Sequence, residues 1–167
     1  GGAEICLIPE IPYDINVILD VINKRFVDGK GHVNIVVSEG ARPIDGDVLR
    51  EVSDEIGNEN LKLGGIANKL LKDLKAAGCK ADMRETVLGH LQRGGVPIAF
   101  DRILATQFGV KAMELALEGT FGEMVAYQHP NIVSVPFIDA ISKYNVVKTD
   151  SSLVQTARGI GLSLGDK

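Results

Sequence analysis

Apolar positions in this chain recur with two periods, and the points where one gives way to the other mark its elements. Glu4 to Ile11 (EICLIPEI) is a short apolar run ending at Pro12, which predicts a buried strand. Ile15, Ile18, Leu19, Ile22 and Phe26 then recur at helical spacing and predict an amphipathic helix from Asp14 to Val27, with Asp14 as its N-cap. Asp28-Gly29-Lys30-Gly31 stops that helix, and the β-branched run Val33 to Ser38 predicts the next strand. A strand, a helix and a strand within about 35 residues make a βαβ unit, which implies a parallel sheet. Asp45 to Ile56 reads as a short helix and Gly57 to Gly65 as a polar loop. Ile66, Leu70, Leu71, Leu74 and Ala77 form a clear helical stripe closed by Gly78. After Pro97 a long helical pattern uses Ile98, Ile103, Leu104, Phe108, Met113, Leu115 and Leu117, with Gly109 in its middle and Gly119 at its end. Glu123 to Gln128 and Ile132 to Phe137 read as strands of a hairpin joined at His129-Pro130-Asn131. Helical turns follow from Ile138 and from about Asp150.

Between the helical stripe closed by Gly78 and the long helical pattern after Pro97 lies the stretch with the most chemistry. Met83, Glu85 and Val87 alternate with Arg84, Thr86 and Leu88, the period of a strand. Gly89, Gly94 and Gly95 break the alternation, and Val96-Pro97 introduces the next helix. Between those glycines His90 and Arg93 lie three residues apart. Arginine offers a planar, permanently charged fork for phosphate oxygens, and histidine adds a donor that can be cationic near pH 7. Glycines let the backbone approach a bulky anion, and loops at strand ends are where open α/β sheets bind ligands. The nucleotide-binding spacing G-x-x-x-x-G-K-[ST] is absent. On the residues alone two readings stand: a phosphate-binding loop, or a surface histidine beside a solvated arginine. Glu39, closing a strand, is either a group that accepts sugar hydroxyls or an ordinary exposed carboxylate. Arg84 is either a ligand or the partner of a nearby carboxylate.

Composition narrows the classes. With 167 residues, 45 % apolar and 24 % charged, the chain has the make-up of a globular domain with a core. A net charge of −4 argues against a nucleic-acid partner. Cys6 and Cys79 lie far apart and form neither a zinc pair nor a disulfide framework; Cys6, inside an apolar run, reads as a buried thiol. No apolar run approaches the ~18 residues of a membrane span and no signal-peptide pattern opens the chain, so a reducing cytoplasm is the expected location.

The run ETVLGHLQRGGVPIAFDRILATQFGV, from Glu85 to Val110, resembles the signature of the 6-phosphofructokinase family. GGAEICLIPE, IVVSEGA and LKLGGIANKL resemble further segments of that family in the same order, so the likeness spans essentially the whole chain. The family's glycine-rich donor loop and catalytic aspartate lie upstream of its GGAE segment. A chain beginning at Gly1-Gly2-Ala3-Glu4 is therefore expected to be the C-terminal part of a longer enzyme, inactive by itself. The fold implied is a three-layer α/β/α sandwich with a parallel central sheet, a fragment of the bilobal phosphofructokinase fold. Residues 1–93 would belong to the sugar-phosphate lobe, 94–137 to the donor-binding lobe, and 138–167 would return to the first. The activity implied is phosphorylation of fructose 6-phosphate to fructose 1,6-bisphosphate in glycolysis, with ATP or pyrophosphate as donor. Mg²⁺ would be bound mainly by the upstream part, and the enzyme would be a homodimer or homotetramer.

The resemblance also assigns residues. Glu39, His90, Leu91, Gln92 and Arg93 would hold the sugar phosphate, with Arg93 also near the transferring group, and Arg84 would reach the substrate of a neighbouring subunit. Glu4 and Lys30 match effector-binding positions of related bacterial enzymes, but Asp28 and Gly31 replace bases there, so the nucleotide effector site is expected to be lost. The length from Glu39 to Arg84, including Leu61-Lys62-Leu63-Gly64-Gly65, resembles a branch with both ATP- and pyrophosphate-dependent members. Asp101-Arg102 is typical of the family; without it the pair reads as a solvated helix face. A non-catalytic sugar-phosphate-binding regulatory subunit fits the same site residues. A dinucleotide-binding oxidoreductase does not, because Gly64-Gly65-Ile66 lacks the fingerprint.

Overall fold

In the computed structural model, which describes residues 2–47, 50–51, 62–63, 65–142 and 145–167, strand β1 (Ile5–Leu7) is shorter than the apolar run that predicts it. Pro9 has no N–H for a ladder, and the Ile11 N–H closes a turn on the Ile8 carbonyl at 3.3 Å. Helix α1 (Ile15–Val27) starts where expected, because the Asp14 carboxylate accepts the Asn16 N–H at 2.8 Å. Strand β2 (Ile35–Val37) pairs parallel with β1, Ile5 opposite Ile35 and Leu7 opposite Val37. On the other side of β1 the C-terminal segment bridges in parallel: the Cys6 N–H reaches the Ser163 carbonyl (2.9 Å) and the Ser163 N–H reaches that of Glu4 (3.0 Å).

Alternation along β1 builds two cores. Ile5 and Leu7 pack with Ile18 and Ile22 of α1 and with Ile66, Leu70 and Leu74 of helix α2 (Ile66–Ala76). Cys6 and Ile8 belong instead to a cluster with Ile11, Leu164 and Val154 of the last helix (Ser152–Gly159). Helices therefore cover both faces of a parallel sheet, the expected three layers. Each fully buried Leu or Ile contributes about 1.5–3 kcal/mol. Cys6 is half-buried rather than fully buried, because it points to the smaller core, and burial still pushes its thiol pKa up. Gly165 closes this unit. Its φ is 79°, and a Cβ there would lie 2.8 Å from Leu7 Cδ2 and 2.9 Å from Tyr13 Cβ. Next to it Arg158 grips Asp166 through two hydrogen bonds of 2.9 and 2.6 Å.

Two expected elements are not found. The helix from Asp45 to Ile56 is contradicted where it can be read. A turn at 44–46 is closed by the Gly46 N–H on the Pro43 carbonyl (3.2 Å), and Arg50–Glu51 forms strand β3, antiparallel to β4 (Lys62–Leu63). Asp-Gly turn chemistry at Asp45-Gly46 wins over a weak apolar stripe. Residues 48–49 and 52–61, with most of the expected polar loop, lie outside the described residues. The strand from Met83 to Leu88 is also not a strand. Residues 82–88 run without a ladder partner among the described residues, and Val87 and Leu88 are exposed. The alternating set contains Glu85 beside Met83 and Val87, so neither face is apolar enough to be buried.

The chain divides into two compact units, Gly1–Val87 with Val146–Lys167, and Leu88–Asn145. The second holds a 3₁₀ turn (Gly89–Arg93), helix α3 (Ala99–Leu117), the antiparallel strands β5 (Glu123–Gln128) and β6 (Asn131–Pro136), and the short helix α4 (Phe137–Ile141). The helix Ser152–Gly159 is thus α5. Gly109 does not interrupt α3, and Gly119, at φ 72°, ends it. The hairpin connection is shorter than expected, only His129-Pro130, because Asn131 already pairs with Gln128. The units part between Val87 and Leu88, so the 3₁₀ turn falls in the second unit, ahead of the expected 93/94 boundary.

Candidate anion-binding site

The glycines of the 89–95 stretch shape a turn, not a strand-end loop. Gly89 has φ 49° and Gly95 φ 126°, values that side chains strongly disfavour. Between them the Leu91 N–H reaches the Leu88 carbonyl (2.9 Å) and the Gly94 N–H reaches that of Leu91 (3.2 Å). A 3₁₀ turn has three residues per turn, so positions i and i+3 lie one above the other. His90 and Arg93 stand in that relation, which brings imidazole and guanidinium to one edge of the turn. Both are exposed, and among the described residues neither has a hydrogen-bond or ion-pair partner. Leu91 is exposed at 74 %, and Gln92 is exposed too, so the whole turn faces solvent. A guanidinium and an imidazole on one edge of a turn with bare glycine backbone offer hydrogen-bond donors of the kind that a multiply charged oxyanion can use.

The other sequence-derived residues belong to the first unit. Glu39 lies at the C-terminal end of β2, exposed, in a turn closed by the Ala41 N–H on the Ser38 carbonyl (2.9 Å). Gly40 beside it lies against Pro9, where a Cβ would be 3.0 Å from the proline ring. Glu39 thus occupies the edge of the parallel pair where α/β sheets take ligands, the location expected for the histidine loop. Arg84 has only a 3.4 Å contact to Asp82, with the two side chains 88 % and 82 % exposed, which contributes little.

Glu4 and Lys30 lie at the opposite edge, where β1 begins and α1 ends. Lys30 is exposed. Glu4 is engaged internally: Oε1 accepts from Arg25 Nη2 (2.8 Å) and Oε2 from the Asn34 N–H (2.7 Å). The Asn34 N–H first, and Arg25 after it, hold the Glu4 carboxyl below the usual carboxylate range. The pair ties β1 to the end of α1 and the start of β2.

Sequence reasoning missed three residues. Arg25 is invisible as a partner of Glu4 because 21 residues separate them. Glu10 accepts the Val147 N–H at 2.8 Å, across 137 positions. Asp101 is not a merely solvated helix residue: its carboxylate accepts the Ile98 N–H at 2.9 Å and fixes the start of α3. Its signal is an acid three residues after the N-cap, hidden because the N-cap is Ile98 rather than Ser or Thr. No group of three or more His, Cys, Asp or Glu side chains converges to hold a metal among the described residues, and none of their helices is long and apolar enough to cross a membrane.

A three-layer α/β unit with a parallel pair, joined in sequence to a glycine-flanked 3₁₀ turn that carries His90 and Arg93, defines an α/β protein. The phosphofructokinase family profile matches residues 1–116, and the chain belongs to that family. It is 43 % identical over 166 residues to ATP-dependent 6-phosphofructokinase 1 of Synechocystis, covering 99 % of this chain and 45 % of that protein. It is also 43 % identical over 166 residues to ATP-dependent 6-phosphofructokinase 2 of Clostridium perfringens, again covering 99 % and 45 %. The chain thus spans less than half the length of these curated relatives. The phosphofructokinase structure from Saccharomyces cerevisiae superposes with a TM-score of 0.54 at 24 % identity, over 98 % of this chain and 20 % of that one, a likeness of fold.

Proposed function

We propose that this chain is the sugar-phosphate-gripping part of a 6-phosphofructokinase, a glycolytic phosphotransferase that converts fructose 6-phosphate to fructose 1,6-bisphosphate in the cytoplasm. The carrying observation is the 3₁₀ turn that aligns His90 and Arg93 between glycines, both exposed and without a partner among the described residues. In this reading Arg93 and His90 take the 6-phosphate, with Leu91 and Gln92 shaping the turn around it, and Arg93 also steadies charge on the transferring group. Glu39 accepts hydroxyls of the sugar, and Arg84 serves a neighbouring subunit. ATP is the favoured donor over pyrophosphate, because the relatives cited are named ATP-dependent. In this reading Mg²⁺ and the catalytic aspartate are supplied mainly by the part of the enzyme that the family places upstream of its GGAE segment. The effector position is read as structural, because Glu4 spends both carboxylate oxygens on Arg25 and Asn34.

Steady-state kinetics of the complete enzyme test the grip. Charge-assisted bonds to phosphate contribute on the order of 1.5–3 kcal/mol each. His90→Ala and Arg93→Ala are each expected to lower kcat/KM for fructose 6-phosphate at least ~10-fold, with the KM for the donor changed by less than about twofold. Unchanged kinetics in both variants would remove the phosphate assignment. The 167-residue chain alone is expected to turn over no fructose 6-phosphate with either donor, and turnover above background would contradict its reading as one part of the machinery.

A further inference from the structure

We propose that Asp101 is a positioning residue for the His90–Arg93 turn, an inference that rests on the phosphate-binding reading above. From Leu88 to Phe100 every side chain is exposed, so packing does not hold the turn in place. Its exit runs through Gly94 and Gly95, where glycine restricts the backbone least, then through Val96 and Pro97 to Ile98. There the chain is caught. Asp101 Oδ2 accepts the Ile98 N–H at 2.9 Å, and the Ile98 carbonyl accepts the Arg102 N–H at 3.2 Å. Among the described residues, the Asp101 bond is the only side-chain hydrogen bond made by residues 88–98.

The local chemistry makes that bond hard to replace. Ile98 is the N-cap of α3 and has no side-chain acceptor for the first helical N–H groups. Only the returning half of a capping box is present, and Asp101 supplies it. Pro97 has a fixed φ and no N–H, so it transmits the direction set at Ile98 back toward Gly95. Without the Asp101 carboxylate, the first turn of α3 frays and the Ile98 N–H is released to water. The 3₁₀ turn then samples many directions around its two glycines. An oxyanion held by an imidazole and a guanidinium loses affinity when their support wanders, because each bond must be re-formed at an entropic cost.

The test is kinetics with thermal melting of the complete enzyme. Asp101→Ala is expected to raise the KM for fructose 6-phosphate about five- to tenfold, the scale of a lost helix cap, and to leave the donor KM unchanged. Asp101→Glu is expected to restore the KM, because Glu is the usual carboxylate at this capping position. Ala105→Gly, an exposed change further along α3, weakens the helix without touching Ile98; it is expected to lower Tm as Asp101→Ala does and leave the KM alone. A wild-type KM in Asp101→Ala, failure of Asp101→Glu to recover it, or an equal KM rise in Ala105→Gly would each overturn the positioning role. His90→Ala and Arg93→Ala run alongside. If they too leave the KM unchanged, the phosphate reading fails; if they raise it while Asp101→Ala does not, only the role of Asp101 fails.

Discussion

Tyr13 is fully buried, yet among the described residues its hydroxyl has no hydrogen-bond partner. Burial first, and the Asp73 carboxylate second, push its pKa up to about 12. Below the ordinary tyrosine pKa near 10 both folded and unfolded chains keep the proton, and the group has no pH effect. As pH rises past 10 the unfolded chain releases the proton before the folded one, so stability falls, and the loss is complete once pH passes about 12. Tyr13→Phe is expected to be neutral to slightly stabilising at pH 7, since it removes an unsatisfied buried group. Between pH 10 and 12 it should spare the protein a loss on the order of 1–3 kcal/mol. Urea unfolding of both proteins at pH 7 and pH 11 measures this; parallel curves at the two pH values would refute it. At this scale the glycine-bounded turn that carries His90 and Arg93 was legible, because it follows from residue type and spacing within a few positions. Asp101 and Glu4 were not, because a carboxylate's partner depends on which N–H or guanidinium the fold delivers to it.

Helix α3 shows what a pattern conveys about an element and what it omits. Leu104, Phe108, Lys111 and Leu115 form one stripe, buried or half-buried, and the helix packs on β5 and β6. Ala99, Ile103, Thr106, Val110, Met113 and Leu117 form a second stripe with alternating spacings of four and three, and all six are exposed. The chain alone is therefore expected to bind a hydrophobic fluorescent dye through this helix. Val110→Lys combined with Met113→Lys should cut the fluorescence by roughly half or more, because charge in mid-stripe rewets it. Unchanged dye binding would place the accessible apolar surface elsewhere. Sequence periodicity reported that α3 is apolar, but only the packing of the hairpin separates its two stripes. Segment 82–88 teaches the converse. Alternation predicted a strand there, and a strand exists only if a neighbour supplies its ladder.

For the whole molecule the consequential residue is Arg84. It belongs to the first compact unit and the His90–Arg93 turn to the second, and its own ion-pair contact is weak and solvent-exposed. The family resemblance implies that Arg84 serves a neighbouring subunit, and a fully extended run from Arg84 to His90 would span at most roughly 20 Å at ~3.3 Å per residue. A twofold axis would bring one subunit's Arg84 to the other's turn, reciprocally. Mixing inactive Arg84→Ala enzyme with inactive His90→Ala/Arg93→Ala enzyme, under conditions that exchange subunits, is then expected to restore activity. A mixed pair rebuilds one intact site from two broken chains. Mixed oligomers that stay inactive would place Arg84 in its own subunit's site or outside the site altogether.

What the sequence by itself determined is what short-range physics enforces. Asp14 caps α1, the glycines bend the 89–95 turn, the parallel pair follows from the strand–helix–strand order, and the apolar stripes of α1 and α2 find each other. Each depends on groups within a turn or two of chain, or on burial that any compact packing rewards. What only the tertiary structure decided is pairing across distance. Ser163 bridges β1, the Gly165 carbonyl takes the Asp14 N–H, Glu4 is spent on Arg25, Glu10 holds Val147, and Arg50–Glu51 pairs with Lys62–Leu63. Hydrogen-bond partners far apart in the chain leave no periodic trace, since either member alone is compatible with solvent. Their choice is made when the layers close and every buried donor must find an acceptor.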